Sequence, residues 1–394
     1  MPIQQITSGI IANNAVVVAD IADSTITGAK LAANTLANSV FQTGSVENYS
    51  RAVGLLGMRN RIINGAQVID QRNAGASVAL SSTTTFITDR WKARINTGSG
   101  TTGIQSSTAP AGFKNSLLIT IGTGGTPSAS DNNWFIQPIE GYNIADLSWG
   151  TADAKTVTVS FWVRSSLTGT FAVTLRNDAS NRSYPATYTI SSANTWEQKT
   201  ITIAGETSGT WLSTNGTGIE VMFDLGTGST YAGTANTWGN ADYRTATGAT
   251  KLVATSGATL YITGVQLEVG SSATGFEYVN YQTSLANCQR YYQKQGGAAY
   301  NSFGNGMAGS TTTCVITTIF PVPMRSSPTF AYSGTIGIND GQSSAGSVSS
   351  VSSTQLGNFG GYINFNSSGL TQFRPYYARA DNDTTAFVSY SAEL

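Results

Sequence analysis

The sequence predicts an all-β protein, and three observations carry that prediction. Apolar residues alternate with polar ones at a period of two in one segment after another, as a half-buried strand requires. No long stretch of the central region keeps the 3.6-residue period of an amphipathic helix. The 43 glycines, with serine and threonine making up about a quarter of the chain, supply turns between the runs. At 394 residues the chain is long enough for two or three domains, each able to bury a core.

The first element is a repeat. Ile6, Ile11, Val16, Ile21, Ile26, Leu31, Leu36, Phe41 and Val46 are apolar at a strict spacing of five, with small polar residues between them. A period of five fits neither helix nor flat strand, so each repeat must contain a turn or bulge. Some 40 residues of this kind bury little alone, so residues 1–46 read as a stem whose apolar seam is shared between copies or with a partner. A flexible arm or a solenoid cap is the plainer alternative. Residues 47–282 read as one sandwich, for which a jelly roll is the preferred form. Thr156 to Arg164 places Val157, Val159, Phe161 and Val163 on one face. Alternation continues through Phe171–Leu175, Ile201–Ile203, Ile219–Leu225, Leu260–Ile262 and Val265–Val269. Residues 226–250 alternate little and read as a long loop. In 283–394, Thr283 or Ser284 would cap a short helix carrying Leu285, Cys288 and Tyr292 on one face and ending at Gly296–Gly297. A β domain follows, with strands over 314–320, 361–365 and 386–391 and a Ser/Gly loop over 341–353.

Composition removes whole classes of function. The chain has no histidine, so Ser-His-Asp, Cys-His and His-ligated zinc chemistry each lack a member. Lys plus Arg and Asp plus Glu both number 21, and charged residues are only 11% of the chain, which disfavours nucleic acid as a partner. No run of about 18 apolar residues is present to insert in a membrane, and Met1–Gln5 does not open a classical signal peptide. Cys288 and Cys314 are read as buried free thiols rather than a disulfide framework.

Motifs that carry chemistry are few. Gly98, Gly100 and Gly103 match the dinucleotide pattern, but no helical period follows to present backbone N–H groups to a phosphate, so the segment reads as a loop. Asp381-Asn382-Asp383 reads as a turn, and neither a cofactor nor a metal site is expected. Glu220 and Asp224 share a strand face about 13 Å apart, too far for paired-carboxylate hydrolysis, although Glu268 stays open as a cross-strand partner. Aromatic side chains remain. Trp91 and Trp196 read as core or sheet-edge residues, and Trp162 lines either a concave face or a subunit interface. Trp211, Tyr231, Trp238 and Tyr243, in loops rich in Gly, Thr and Asn, are the candidate platform for a sugar ligand, with loop packing as the plainer reading.

Specific words then match a known family. Arg61-Ile-Ile-Asn-Gly65, Gln71-Arg72-Asn73 and Thr88-Asp89-Arg90-Trp91 resemble the opening of the carbohydrate-binding-module-like domain of bacteriophage tail fibres. Gly264-Val-Gln-Leu-Glu268 and Ala273-Thr-Gly-Phe-Glu277 resemble its close, and Ser284 to Tyr292 the segment after it. Phe320 to Pro328 and Ser391-Ala-Glu-Leu394 are similar to fibre ends, and Thr25 to Leu31 to virion-proximal repeats. The resemblance implies a jelly-roll receptor-binding protein assembled as a homotrimer, and a non-catalytic role in adsorption to a host cell-surface polysaccharide. It also implies a place on the virion through residues 1–46, against a tail adaptor, nozzle or baseplate protein, and carries no defined set of ligand residues. The chain is short for a fibre and lacks a long shaft. The alternative is a structural virion component such as a head fibre, decoration or tail accessory protein, and a glycan-degrading enzyme is a third reading. Tyr332, Phe359 and Tyr362 mark the C-terminal region as a competing contact site.

Overall fold

Because every second residue of a strand points to the same side, the alternating segments can bury one row of side chains while leaving the other row outside. The computed structural model of the chain describes residues 58–342 and 344–394. The pentad residues Ile6, Ile11, Val16, Ile21, Ile26, Leu31, Leu36, Phe41 and Val46 lie outside them. Residues 58–394 form one compact unit, and it is nearly all β.

Two six-stranded antiparallel sheets make the larger body. The first runs β1 (Val78–Ala79), β4 (Thr102–Ser106), β5 (Ser116–Thr120), β14 (Thr259–Val269), β7 (Val157–Ser165) and β10 (Glu197–Ile203). The second runs β2 (Thr85–Thr88), β3 (Trp91–Ile95), β6 (Asn133–Glu140), β11 (Thr217–Asp224), β8 (Gly169–Arg176) and β9 (Ser183–Ile190). The chain passes repeatedly from one sheet to the other, an order consistent with a jelly roll. Val157, Val159, Phe161 and Val163 are fully buried as the alternation requires. They pack in a core where Phe223 stacks on Phe135 at 4.9 Å between ring centres and meets Phe161 edge-on at 5.1 Å. Trp91 is a core residue of this cluster.

Within the sandwich, two details depart from the sequence reading. The segments around Leu260 and Val265 are one strand, β14, interrupted by a bulge, because Gly264 takes a left-handed φ of 60° and the pairing with β7 shifts between Thr263 and Gln266. The long 226–250 loop is not free of structure. It holds the short parallel pair β12 (Ala232–Gly233) and β13 (Thr245–Ala246), and a bridge between Ser183 and Gly239 ties it to β9. Gly98 and Gly100, both at positive φ, belong to the turn between β3 and β4.

The smaller body begins after helix α1 (Tyr281–Gln289). Asn280, rather than Thr283 or Ser284, caps this helix by accepting from the Thr283 N–H. The helix stops before Tyr292, which lies in strand β15 (Tyr292–Gly296). Cys288 and Tyr291 pack with Ile63 and Ile69 in a small satellite core. β15 joins β24 (Phe387–Ser391) and β18 (Thr329–Ser333) in a three-stranded sheet. A seven-stranded sheet runs β20 (Ser344–Ser347), β19 (Ile336–Asn339), β23 (Pro375–Ala380), β16 (Ser302–Ala308), β17 (Thr313–Ile319), β22 (Gly360–Asn366) and β21 (Ser350–Gly357). The expected loop over 341–353 is therefore largely strand. Serine is a weak strand former, but the amides of Asn364 and Asn366 on β22 donate to Ser353 and Ser350 and hold β21 in register. Cys288 and Cys314 are buried free thiols.

Candidate functional site

The four aromatic residues picked from the loops do not form one platform. Trp211 and Trp238 come together against Trp149, with ring centres 4.7, 5.4 and 5.7 Å apart and every pair nearly perpendicular. Tyr184 of β9 closes the group at 5.1 Å from Trp238. The indole N–H groups are already spent: Trp211 donates to the Ser208 carbonyl at 3.0 Å, Trp238 to Ala204 at 2.9 Å and Trp149 to Lys155 at 2.8 Å. Tyr231 and Tyr243 lie elsewhere in the 226–250 loop. The Arg244 guanidinium sits 4.3 Å over the Tyr231 ring. Tyr243 packs on Gly233 and Gly239, where an added Cβ would fall 2.5 and 2.4 Å from its ring. Of the other tryptophans, Trp196 meets Tyr261 at 6.0 Å, and Trp162 is half-buried on the outer face of β7.

An open cavity of about 320 Å³ lies instead between the entry segment near Met58, the 112–114 loop, the exit segment 276–279 and α1. That volume is within the range of small-ligand pockets. Its aromatic wall is Phe113, Phe276 and Tyr278, with centres 5.0 to 5.5 Å apart. Its polar rim includes Asn60, Lys114, Glu277, Thr283, Ser284 and Asn287. The bulge in β14 builds this wall, since a Cβ at Gly264 would stand 2.6 Å from Phe113. The exit segment is pinned from both sides. Glu277 donates its N–H to Gln266 and its carboxylate accepts from the Asn60 N–H at 2.7 Å, while Glu268 accepts from the Thr274 N–H and hydroxyl. Tyr278 is 63% exposed and donates its hydroxyl to the Gly112 carbonyl at 3.1 Å. Sequence reasoning missed this site. The available signal was that Phe276 and Tyr278, two residues apart, directly follow a Thr-Gly turn.

The words that carry the family resemblance converge on a buried ionic junction. Arg90 pairs with Glu393 and donates to the Pro138 carbonyl at 2.6 Å, with its guanidinium 3.6 Å over the Tyr291 ring. Arg72 reaches Glu393 at 2.9 Å and lies 3.5 Å over Tyr292. Arg290 and the Tyr291 hydroxyl both donate to Glu140, at 2.8 and 2.6 Å. Arg325 donates to the carbonyls of Ala392 and Glu393, and Lys92 to that of Leu394. Burial drives the Asp89 carboxyl up to about 6, against hydrogen bonds from Gln71. Burial pushes Glu140 upward too, but the Arg290 and Tyr291 donors outweigh it and hold its pKa below the ordinary value. Burial likewise lowers Lys92 and raises Cys288. These motif residues tie the two bodies together.

The carboxylates singled out in the sequence are engaged as well. Glu220 pairs with Arg176, Asp224 accepts from Thr227 and Thr245, and Glu268 lies in the opposite sheet. Asp383 accepts from Thr385 and Thr335 in a turn, which lowers its pKa to about 2. Among the described residues no three His, Cys, Asp or Glu side chains gather as metal ligands, and no helix is long and apolar enough to cross a membrane.

No family model matches the chain, and no curated protein matches its sequence. Part of it is similar in three dimensions to solved domains. One is the enzymatically active domain of bacteriophage CBA120 tailspike protein 4, at TM-score 0.29 and 13% identity over 54% of this chain and 21% of that one. The chain thus spans about a fifth of that tailspike structure. Another is the C-terminal family 22 carbohydrate-binding module of a Clostridium thermocellum protein, at TM-score 0.25 and 13% identity over 47% of this chain and 89% of the module. A third is the family 11 carbohydrate-binding module from Clostridium thermocellum in complex with a mixed-linked tetrasaccharide, at TM-score 0.26 and 9% identity over 50% and 98% of the two chains. The sandwich described above rests on its own strand pairing.

Proposed function

We propose that the chain is a non-catalytic glycan-binding fibre protein of a bacteriophage particle, working as a homotrimer attached through residues 1–46. The observation that carries the glycan reading is the cavity walled by Phe113, Phe276 and Tyr278 and rimmed by amide and hydroxyl groups together with Lys114 and Glu277. Ring faces take the C–H faces of a sugar, and Thr283, Ser284 and Asn287 offer uncharged hydrogen bonds to its hydroxyls, while the buried Asn60 amide is spent on Val265, Ile62 and Leu267. A single site of this kind binds weakly, and three copies on one fibre raise the effective affinity. A binding role rather than hydrolysis is supported by the engagement of Glu220, Asp224 and Glu268 with Arg176, with Thr227 and Thr245, and with Gln266 and Thr274. The tail or other external fibre of the virion is the location this reading requires.

The test compares Y278A with W238A in the full chain, reading binding to host cells and block of phage adsorption. Y278A should weaken binding about tenfold, the loss of roughly 1.4 kcal/mol, while unfolding stays within about 0.5 kcal/mol of the parent. W238A should leave binding in place. Loss of binding in W238A alone would move the site to the tryptophan cluster. A parent chain that neither binds cells nor competes with phage would favour a structural virion component.

A further inference from the structure

Five of the seven tryptophans use their indole N–H inside the chain. Trp91 donates to Asn64, Trp134 to Asn132, Trp149 to Lys155, Trp211 to Ser208 and Trp238 to Ala204. Trp162 and Trp196 differ. Both are half-buried, no acceptor among the described residues meets either N–H, and neither nitrogen is sealed from solvent. Both lie on the outer face of the first sandwich sheet. β7 turns Val157, Val159, Phe161 and Val163 into the core, so Trp162 and Arg164 stand outside. Arg164 pairs across to Tyr261 of β14 and lies 5.0 Å over its ring, and Trp196, at the entry to β10, meets the same ring at 6.0 Å. The Tyr261 hydroxyl also has no partner among the described residues, and the side chains of Gln198 and Thr200 are exposed on the outer row of β10.

The strip continues past the sheet. At the bulge of β14, a Cβ on Gly264 would stand 3.2 Å from the Trp162 ring and 2.6 Å from Phe113. The two rings therefore flank the bulge, and Phe113 begins the aromatic wall of the cavity that Phe276 and Tyr278 complete. Neighbouring strands lie about 5 Å apart and alternate residues about 7 Å, so the rings from Trp196 to Tyr278 follow one another over roughly 20 Å. The outer face of the second sheet offers no such path, because the 226–250 loop and the C-terminal residues cover it with paired charges.

We propose that Trp196, Tyr261 and Trp162 are a second set of sugar contacts continuous with the cavity, so that the ligand is an internal stretch of an extended polysaccharide laid across the first sheet rather than a terminal sugar. This rests on the glycan reading above and adds the length of chain that the protein recognises. Ring faces take C–H faces, and the free indole, phenol, amide and hydroxyl groups beside them take hydroxyls, so each ring comes with its own polar partner. A protein surface laid on the same strip would have to bring an acceptor to each indole or leave it unpaired at a cost. A sugar chain brings oxygens at every unit.

The test measures binding of the full chain to surface polysaccharide extracted from host cells, both intact and hydrolysed to fragments of graded length. The parent should bind longer fragments progressively more tightly. W162A/W196A should bind the longest about tenfold more weakly and the shortest like the parent, whereas Y278A should weaken both. W162F/W196F keeps a ring at each position and removes the two N–H groups, and it should lose about threefold on the long chain. It carries the test if the alanine variant fails to fold. A parent that binds no fragment would overturn the glycan reading and this proposal together. A parent that binds every length equally, or a W162A/W196A chain that binds the intact polysaccharide as the parent does, would overturn this proposal alone. So would a W162A/W196A chain that light scattering finds dissociated from a multimeric parent, since the strip would then be a subunit interface.

Discussion

The sandwich and the C-terminal body are built from the same kind of antiparallel strands, yet they finish their surfaces differently. On the outer face of the second sandwich sheet, Arg176 is paired with Glu220 and Asp242, Asp242 with Arg244, and Arg90 with Glu393, under cover of the 226–250 loop and the C-terminal residues. The C-terminal body leaves Ile319, Phe359 and Phe373 largely in solvent and two uncharged strand edges open. An exposed apolar projection beside an uncharged strand edge is where a sheet most readily meets another molecule, whereas outer groups paired within the chain are already satisfied.

The sharpest way to break this comparison is in the sandwich core. F223A removes a ring that touches Trp91, Phe135 and Phe161, and should cost about 3 to 5 kcal/mol in denaturant unfolding. A loss near 1 kcal/mol would mean that the core relaxes and is not closely packed. Next comes the junction. R90A strips Glu393 of one partner at a site where the arginine is 1% exposed, and a loss of roughly 3 kcal/mol is expected. The unfolding transition should also divide into two, since the C-terminal residues then hold the sandwich only through Arg72 to Glu393, Lys92 to Leu394 and the remaining contacts of the junction. A single transition at the parent's midpoint would place the anchor elsewhere.

The third effect, no larger than that at the junction, is pH dependence. Asp89 is raised from 3.8 to about 6 by burial. A folded pKa above the unfolded one means the protonated form favours folding, so this group helps most below pH 4 and its contribution is lost as pH rises through about 6. In D89N the stability measured from pH 4 to 7 should therefore decline less than in the parent, by up to roughly 3 kcal/mol. Parallel curves for the two proteins would show that Asp89 titrates as an ordinary carboxylate.

Much of the strand content was legible because alternation is a local signal. Val157 to Val163 needed no knowledge of their neighbours to be placed on one face. β21 was not legible, because Ser350–Gly357 has little preference of its own and becomes strand through pairing with β22. The candidate site was harder still. Trp211 and Trp238 were identifiable as loop aromatics, but whether an indole faces ligand or another ring depends on Trp149, some 60 residues away in sequence from Trp211. Phe113 joins Phe276 and Tyr278 only because Gly264 bends β14 and gives the ring room.

The absence of histidine, the balance of 21 positive and 21 negative side chains and the period-two alternation are properties of the chain itself, and they determined the all-β class and the chemistries excluded from it. What tertiary structure decided was the use of the few charges and many rings. The short motif words carry a family resemblance in sequence but no ligand set, and in the fold their Arg72, Arg90, Arg290 and Glu393 meet, with Glu140, in one junction. Burial makes an unpaired charge costly, and a partner distant in sequence is found only when the chain folds.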